Sequence, residues 1–205
     1  MSKTGWIITA AIVIVVLFST YFGGVGSNNN DKEKEIKLMS GKHYVLMTVK
    51  EYGDIKLELD ADMAPITVTN FINLVNKKFY DGLTFHRIME DFMIQGGDPD
   101  GNGTGGSDTN IKGEFTSNGV NNTISHVRGV ISMARAKHPD SASSQFFIVH
   151  QDSTFLDGDY AAFGKVLEGM DVVDKIAADA VPVDNNGTIL SGEQPVIEKI
   201  VVVQE

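Results

Sequence analysis

Residues 85–98, which read FHRIMEDFMIQGGD, constrain the fold more than any other stretch of the chain. Large apolar residues flank a tight turn at Glu90 and Asp91, and a pair of glycines ends the segment, which predicts two short strands in a hairpin. Arg87 stands among these apolar side chains, and Gln95 follows on the second predicted strand. A half-buried guanidinium is costly to desolvate, so this hairpin is expected to carry an arginine with a specific task.

A second stretch combines an amide side chain with aromatic ones in the same way, at residues 144–149, which read SQFFIV. Three more segments accompany these two: GTGG at 103–106, GVISMARA at 129–136 and FLDGDYAAFGKVLEGMDVVDKI at 155–176. In their order along the chain and in their spacing, the five motifs resemble those of the cyclophilins, a family of peptidyl-prolyl cis/trans isomerases. Five ordered motifs are much more specific than any one short pattern. The resemblance covers residues 40–205, and Phe155 and Tyr160 within it look like those of many bacterial members.

The pattern of strands and helices agrees with a mainly β fold. Alternating or apolar runs predict strands, a helix is expected to begin at Pro65 with Asp62 near its N-terminal end, and a second helix is expected at 169–178. Many short strands separated by turns, together with two helices, suggest a closed antiparallel barrel. The resemblance implies eight strands with one helix capping each end.

The N-terminal 26 residues differ from the rest. Residues 6–22 are uncharged and strongly apolar, and about 20 such residues span the hydrocarbon core of a bilayer. We therefore expect a signal anchor, which is a single transmembrane helix at 1–26, with Lys3 in the cytoplasm and the remainder exported at the cell membrane. The alternative is secretion after cleavage, although Gly24-Val25-Gly26 is a poor cleavage site. Residues 27–39 are predicted to be a polar linker, and 40–205 the isomerase domain.

Composition excludes several classes of function. The formal net charge is −10, so nucleic acid is not expected as a partner. The chain has no cysteine, which excludes disulfides, thiol nucleophiles and cysteine-ligated zinc. Rotation about an Xaa–Pro bond makes and breaks no bond between heavy atoms, so an isomerase needs neither cofactor nor metal. We expect a monomer whose partners are proline-containing unfolded or exported polypeptides.

The resemblance assigns a role to eleven residues. Arg87 would be the catalytic donor that stabilises the twisted amide, whereas a surface salt bridge with Glu90 or Asp91 is the structural alternative. Gln95 and Gln145 would hold the substrate backbone or orient the arginine. Four apolar residues would line the pocket for the proline ring, with ordinary core packing as their structural alternative: Phe92, Met93, Phe147 and Leu156. Ala134 and Arg135 would bind the peptide through main-chain groups, and Phe155 and Tyr160 complete the expected substrate site.

Three positions depart from the best-known family members. Phe155 stands where those proteins carry tryptophan, Tyr160 where they carry histidine, and Arg135 where asparagine is usual. Without the indole N–H, one donor to the inhibitor cyclosporin is missing, so weak cyclosporin binding is expected. Arg135 places a charge beside the groove, which predicts a changed peptide preference.

Two other classes of function compete with an isomerase that assists the folding of exported proteins. One is a binding module that holds proline peptides, which would have no need for the arginine. The other is a hydrolase using paired carboxylates such as Asp98 and Asp100, although no serine or histidine motif accompanies them. The same aspartates with Asn102 resemble the first half of a calcium loop, but Thr109 stands at the twelfth position, which favours a plain glycine-rich loop.

Overall fold

One antiparallel sheet organises the part of the chain that the computed structural model describes, residues Lys37–Glu205. Its eight strands, numbered in chain order, are β1 (Lys42–Val49), β2 (Gly53–Asp60), β3 (Thr84–Met89), β4 (Met93–Asp98), β5 (Val130–Met133), β6 (Phe146–Val149), β7 (Ala162–Glu168) and β8 (Ile197–Val203). In space they follow the order β3-β4-β6-β5-β7-β2-β1-β8. The prediction of a mainly β fold with eight antiparallel strands is confirmed.

The sheet curls into a half-barrel, so the prediction of a fully closed barrel was wrong. Within Lys37–Glu205, a single isolated bridge between Thr84 and Val196 joins β3 to the segment that leads into β8. Farther along β3, the backbone bonds go to a loop instead: Ile88 N–H donates to Gly187 O at 2.8 Å, and Ile189 N–H donates to His86 O at 3.0 Å. Because this loop occupies the edge of β3, the strand cannot form a full ladder with β8.

Two α-helices of the described residues pack against the sheet. The first, α1 (Pro65–Asn76), packs against β2 and β8, and the second, α2 (Met170–Asp179), packs against β2 and β4. Val68, Phe71, Ile72 and Val75 follow the helical period along α1, and all four are buried in the core. Both predicted helices are present: α1 begins at Pro65 as expected, and each bound of α2 is shifted by one residue.

The N-terminal end of α1 is capped by a residue distant in sequence. The buried carboxylate of Glu114 accepts the N–H groups of Ile66 at 3.0 Å and Thr67 at 2.7 Å, and also the Thr67 hydroxyl at 2.7 Å. These N–H groups have no partner within the helix, so an anion satisfies them well. Asp62, which was expected at this end, instead accepts the N–H of Gly41.

The described residues contain no helix that is both long enough and apolar enough to cross a membrane. The predicted signal anchor at 1–26 and most of the predicted linker at 27–39 lie outside these residues, which begin at Lys37. The predicted isomerase domain at 40–205 lies within them.

Candidate active site

Strand register brings the polar and apolar candidates into one row across the sheet. Arg87 of β3 lies opposite Gln95 of β4, Gln95 lies opposite Phe147 of β6, and Phe147 lies opposite Ser132 of β5. Since side chains alternate along a strand, residues two positions away share the same face. Two stretches that are fifty residues apart in sequence therefore meet on one face of the sheet.

A cavity of about 440 Å³ lies over this face. Nine of the eleven predicted site residues line this cavity, and only Gln145 and Phe155 do not. The nine are Arg87, Phe92, Met93, Gln95, Ala134, Arg135, Phe147, Leu156 and Tyr160. Gln145 lines an adjoining cavity of about 200 Å³, and Phe155 lies at the rim, where 73% of it is exposed and its ring centroid is 5.7 Å from that of Phe92.

The bottom of the cavity is apolar and rigidly packed. Met93, Phe147 and Leu156 belong to one buried cluster. The ring of Phe147 stacks on His126 at 6.1 Å between centroids and meets the Tyr160 ring edge-on at 6.0 Å. Such a floor accepts a small apolar ring and gives it no hydrogen bond.

His126 supports this floor from below. Its ring is fully buried, with Nδ1 at 2.8 Å from Asp157 Oδ1 and Nε2 at 2.9 Å from Ser132 Oγ. Burial lowers the pKa of His126 and outweighs the opposing effect of Asp157. The histidine is therefore a structural residue.

The guanidinium of Arg87 is held at one wall of the cavity by neutral acceptors. Its Nε donates to Asn186 O at 2.7 Å, its Nη1 donates to Gln95 Oε1 at 3.0 Å, and its Nη2 lies 3.2 Å from Met89 Sδ. The alternative of a salt bridge with Glu90 or Asp91 was wrong, because within Lys37–Glu205 Arg87 forms no ion pair. Burial lowers the pKa of Arg87, yet a guanidinium remains charged at neutral pH.

A relay of two glutamine amides fixes the orientation of Arg87. Gln145 Nε2 donates to the carbonyl oxygens of Gly105 at 2.8 Å and Gly103 at 3.2 Å, which leaves Gln145 Oε1 to accept from Gln95 Nε2 at 3.0 Å. Gln95 must therefore turn its oxygen towards Arg87. The two glutamines that the sequence singled out meet here, and their polarity is set by the glycine-rich loop.

Arg135 is held against the protein rather than extended into the groove. Its guanidinium carbon lies 4.7 Å from the Tyr160 ring centroid and 5.1 Å from that of Phe115. Its N–H groups donate to three carbonyl oxygens, those of Asp159, Ala136 and Lys137. Because the charge is stacked and hydrogen-bonded in this way, it stiffens the Tyr160 wall of the cavity.

Sequence reasoning missed six residues that line the cavity: His86, Asn102, Gly103, Thr104, Asn186 and Thr188. His86 was missed because the pairing of β3 with β4 shifts register between Phe85 and Arg87, so the strict alternation of side chains between the two faces of the sheet fails there. The loop of Asn186 and Thr188 is shaped by Asp184, whose carboxylate accepts the N–H groups of both residues at 3.0 Å. Residues 183–188, which read VDNNGT, are typical of a turn, but this local pattern does not show that the turn lies beside Arg87.

The buried aspartate of the glycine-rich loop is bound by the backbone of that loop. Asp98 is buried, and its carboxylate accepts the N–H groups of Asp100, Asn102 and Gly103. Those bonds lower the pKa of Asp98 against the opposing effect of burial, which is the largest single one. The described residues hold no cluster of three acidic, histidine or cysteine side chains suited to a metal. Asp98 therefore anchors the loop.

The curled antiparallel sheet thus carries Arg87 at the wall of a cavity whose floor is apolar, and the family to which the chain belongs gives this arrangement its enzyme class. The chain belongs to the cyclophilin-type peptidyl-prolyl cis/trans isomerases: the family model described as cyclophilin type peptidyl-prolyl cis-trans isomerase/CLD matches residues 44–203. The resemblance seen in the sequence is confirmed, and so is the enzyme class.

Curated relatives from bacteria carry the same function in their names. A peptidyl-prolyl cis-trans isomerase of Acinetobacter baylyi is 46% identical over 134 residues, which are 61% of this chain and 67% of that protein. Peptidyl-prolyl cis-trans isomerase A of Dickeya dadantii is 43% identical over 143 residues, which are 65% of this chain and 70% of that protein.

Solved structures agree with the fold. The crystal structure of a cyclophilin-type peptidyl-prolyl cis-trans isomerase of Cryptosporidium parvum has a TM-score of 0.71 at 29% identity, and it covers 80% of this chain and 99% of its own. A second crystal structure of that protein, obtained in the presence of the dipeptide Ala-Pro, has a TM-score of 0.69 at 29% identity, with 79% of this chain and 99% of that one covered.

Proposed function

We propose that this chain accelerates rotation about Xaa–Pro bonds in exported polypeptides and that Arg87 is its catalytic residue. The observation that carries the proposal is the guanidinium of Arg87, fixed by Gln95 and by Asn186 O at the wall of a cavity with an apolar floor. The cavity floor formed by Met93, Phe147 and Leu156 would hold the proline ring.

The barrier to be lowered is about 18–20 kcal/mol, because rotation breaks the resonance of the amide. As the bond twists, the proline nitrogen becomes pyramidal and regains a lone pair that can accept a hydrogen bond. A donor held in place before the reaction interacts more strongly with this nitrogen than with the planar ground state, so it raises kcat. Arg87 suits this task because its charge persists at neutral pH and its fork is rigid.

The contacts of Arg87 leave part of its donor capacity weakly used. Nε donates to Asn186 O, and Nη1 donates to Gln95 Oε1, and both bonds fix the plane of the guanidinium. The other contacts are to the thioether sulfurs of Met89 at 3.2 Å and Met93 at 3.9 Å, which are weak acceptors. A twisted amide can displace sulfur from these donors at little cost.

The expected substrate and the expected cellular location rest on separate observations. Binding of proline-containing peptides by this chain is supported by the family and by the Ala-Pro dipeptide named for the Cryptosporidium protein. Export and anchoring at the cell membrane are supported by the apolar residues 6–22. We expect a monomer without a cofactor, and weak binding of cyclosporin.

The test is the isomerisation rate of a tetrapeptide with one Xaa–Pro bond, catalysed by the purified full-length chain. Replacement of Arg87 by alanine should lower kcat/KM by about 10²–10³, the effect expected for one preorganised electrostatic donor, with an unchanged circular dichroism spectrum. The control is Arg128→Ala, since Arg128 pairs with Asp174 and does not line the cavity. A folded wild-type chain without activity would replace this proposal by the binding module.

The location has its own test. Protease added to intact, wall-stripped cells should degrade the isomerase domain if it is exported and anchored. Protection of the domain until the cells are lysed would place it inside and contradict the export part of the proposal.

A further inference from the structure

We propose that Met89 is an oxidation site that regulates the enzyme: its sulfoxide restrains Arg87 and lowers isomerase activity. The inference rests on the proposed catalytic role of Arg87. It begins from one contact, in which the Met89 sulfur lies 3.2 Å from Arg87 Nη2.

The two methionines whose sulfurs contact this guanidinium differ in their exposure to solvent. Met93 has 1% of its surface exposed, and its sulfur is 3.9 Å from Nη1. Met89, at the end of β3, is partly exposed and makes the shorter contact. Because oxidation of methionine follows solvent access, a dissolved peroxide reaches Met89 first.

The packing around Met89 keeps its sulfur beside the guanidinium. A Cβ added to Gly187 would lie only 2.5 Å from Met89 Cγ, so the backbone of the loop presses directly on this side chain. The same loop supplies the oxygen of Asn186 that binds Arg87 Nε. Met89 is thus confined between the loop and the arginine, and a group formed on its sulfur stays close to Nη2.

The chemistry turns a weak acceptor into a strong one. The thioether sulfur attacks hydrogen peroxide, an S–O bond forms, the O–O bond breaks, and the departing hydroxide takes the proton of the new S–OH group, which gives the sulfoxide and water. The sulfur is oxidised and the peroxide reduced. The sulfoxide oxygen carries high negative charge, and a charge-assisted hydrogen bond from a guanidinium is about twice as strong as a neutral one. The donor of Arg87 that sulfur held weakly is then no longer available to the twisted amide.

The experiment compares each protein with itself before and after mild treatment with hydrogen peroxide. Mass spectrometry of peptides identifies which methionines are oxidised, and kcat/KM is measured on the same samples of the full-length chain. With Met89 oxidised, kcat/KM should fall about tenfold, the effect of about 1.4 kcal/mol, mainly through kcat. Methionine sulfoxide reductases should restore it.

Two variants test whether the loss of activity is due to oxidation of Met89 and not of another methionine. In Met89→Leu the same treatment should leave the ratio of treated to untreated kcat/KM near one, whereas Met170→Leu, at a partly exposed methionine of α2, should remain sensitive. The ¹⁵N resonances of the Arg87 guanidinium should move on oxidation of the wild type and stay in place in Met89→Leu.

The outcomes separate this inference from the proposed function. An untreated chain without activity overturns the proposed function. An active chain that keeps its rate after complete oxidation of Met89, or that loses it equally in Met89→Leu, overturns the oxidation site alone.

Discussion

Gln95 Nε2 donates to Gln145 Oε1 over 3.0 Å, and this contact decides which end of the Gln95 amide faces Arg87. Gln145 can accept because its own nitrogen is bound to the carbonyl oxygens of Gly103 and Gly105. The glycine-rich loop, whose shape Asp98 maintains, thereby determines the orientation of a guanidinium two side chains away. Gln145 is a positioning residue in this arrangement.

Replacement of Gln145 by leucine should therefore reduce kcat more than it changes KM. Without Gln145 Oε1, the Gln95 amide can rotate and turn its N–H₂ group towards Arg87, which removes a hydrogen bond to a charged group worth about 1.5–3 kcal/mol. The corresponding loss in kcat is about tenfold to a hundredfold. Steady-state kinetics on Gln145→Leu and on the exposed control Gln151→Leu checks this. A rise in KM at constant kcat would show that Gln145 binds substrate instead.

Arg135→Ala should weaken the binding of all peptides to a similar degree. The sequence predicted that the Arg135 charge changes peptide preference, but the guanidinium is stacked on Tyr160 and Phe115 and bonded to three carbonyl oxygens. Its loss should loosen the Tyr160 wall rather than remove a charge from the substrate. The check is kcat/KM for tetrapeptides with Glu, Ala or Lys before the proline. A gain restricted to the Lys peptide would restore the charge interpretation.

Phe155→Trp should tighten the binding of cyclosporin and change isomerase activity little. Phe155 lies at the rim with 73% exposure and outside the cavity that holds Arg87. An indole there adds an N–H donor, and one hydrogen bond is worth about 1 kcal/mol, or about fivefold in the dissociation constant. Calorimetry on the wild type and the variant measures both constants. A wild-type constant as low as that of the variant would contradict the expectation.

The stability of the domain should fall as the pH decreases through the range in which histidine titrates, and His86 should account for part of the fall. Both ring nitrogens of His86 lack a partner within Lys37–Glu205, and burial lowers its pKa in the folded state. The unfolded chain, with a histidine pKa of about 6.5, therefore binds the proton first, so protonation favours unfolding below that pH. Urea unfolding from about pH 7.5 to 5.5 should show a smaller decrease for His86→Leu than for the wild type. Parallel curves would show that His86 is not involved.

The sequence predicted well what depends on local pattern. Arg87, Gln95 and Phe92 belong to one hairpin, so alternation and a turn place them together without knowledge of the rest of the chain. Prediction from the sequence failed where a segment distant along the chain completes the site or the sheet. The loop that binds Arg87 through Asn186 O comes from the C-terminal part of the chain, and the same loop prevents β3 from closing the barrel. Strand pairing between segments so far apart in sequence leaves no local signal.

The cap of α1 is another long-range contact of this kind, and it supports the last prediction. Glu114→Gln should lower the free energy of unfolding by about 1.5–3 kcal/mol, because a buried carboxylate that accepts from Ile66 N–H, Thr67 N–H and Thr67 Oγ1 is replaced by a neutral group with a single acceptor oxygen. Urea unfolding measures the loss, and the control is Glu198→Gln at an exposed position of β8. Isomerase activity per folded molecule should stay constant, since Glu114 does not line the cavity. If both variants unfold at the same urea concentration, the Glu114 carboxylate contributes no net stability to the helix.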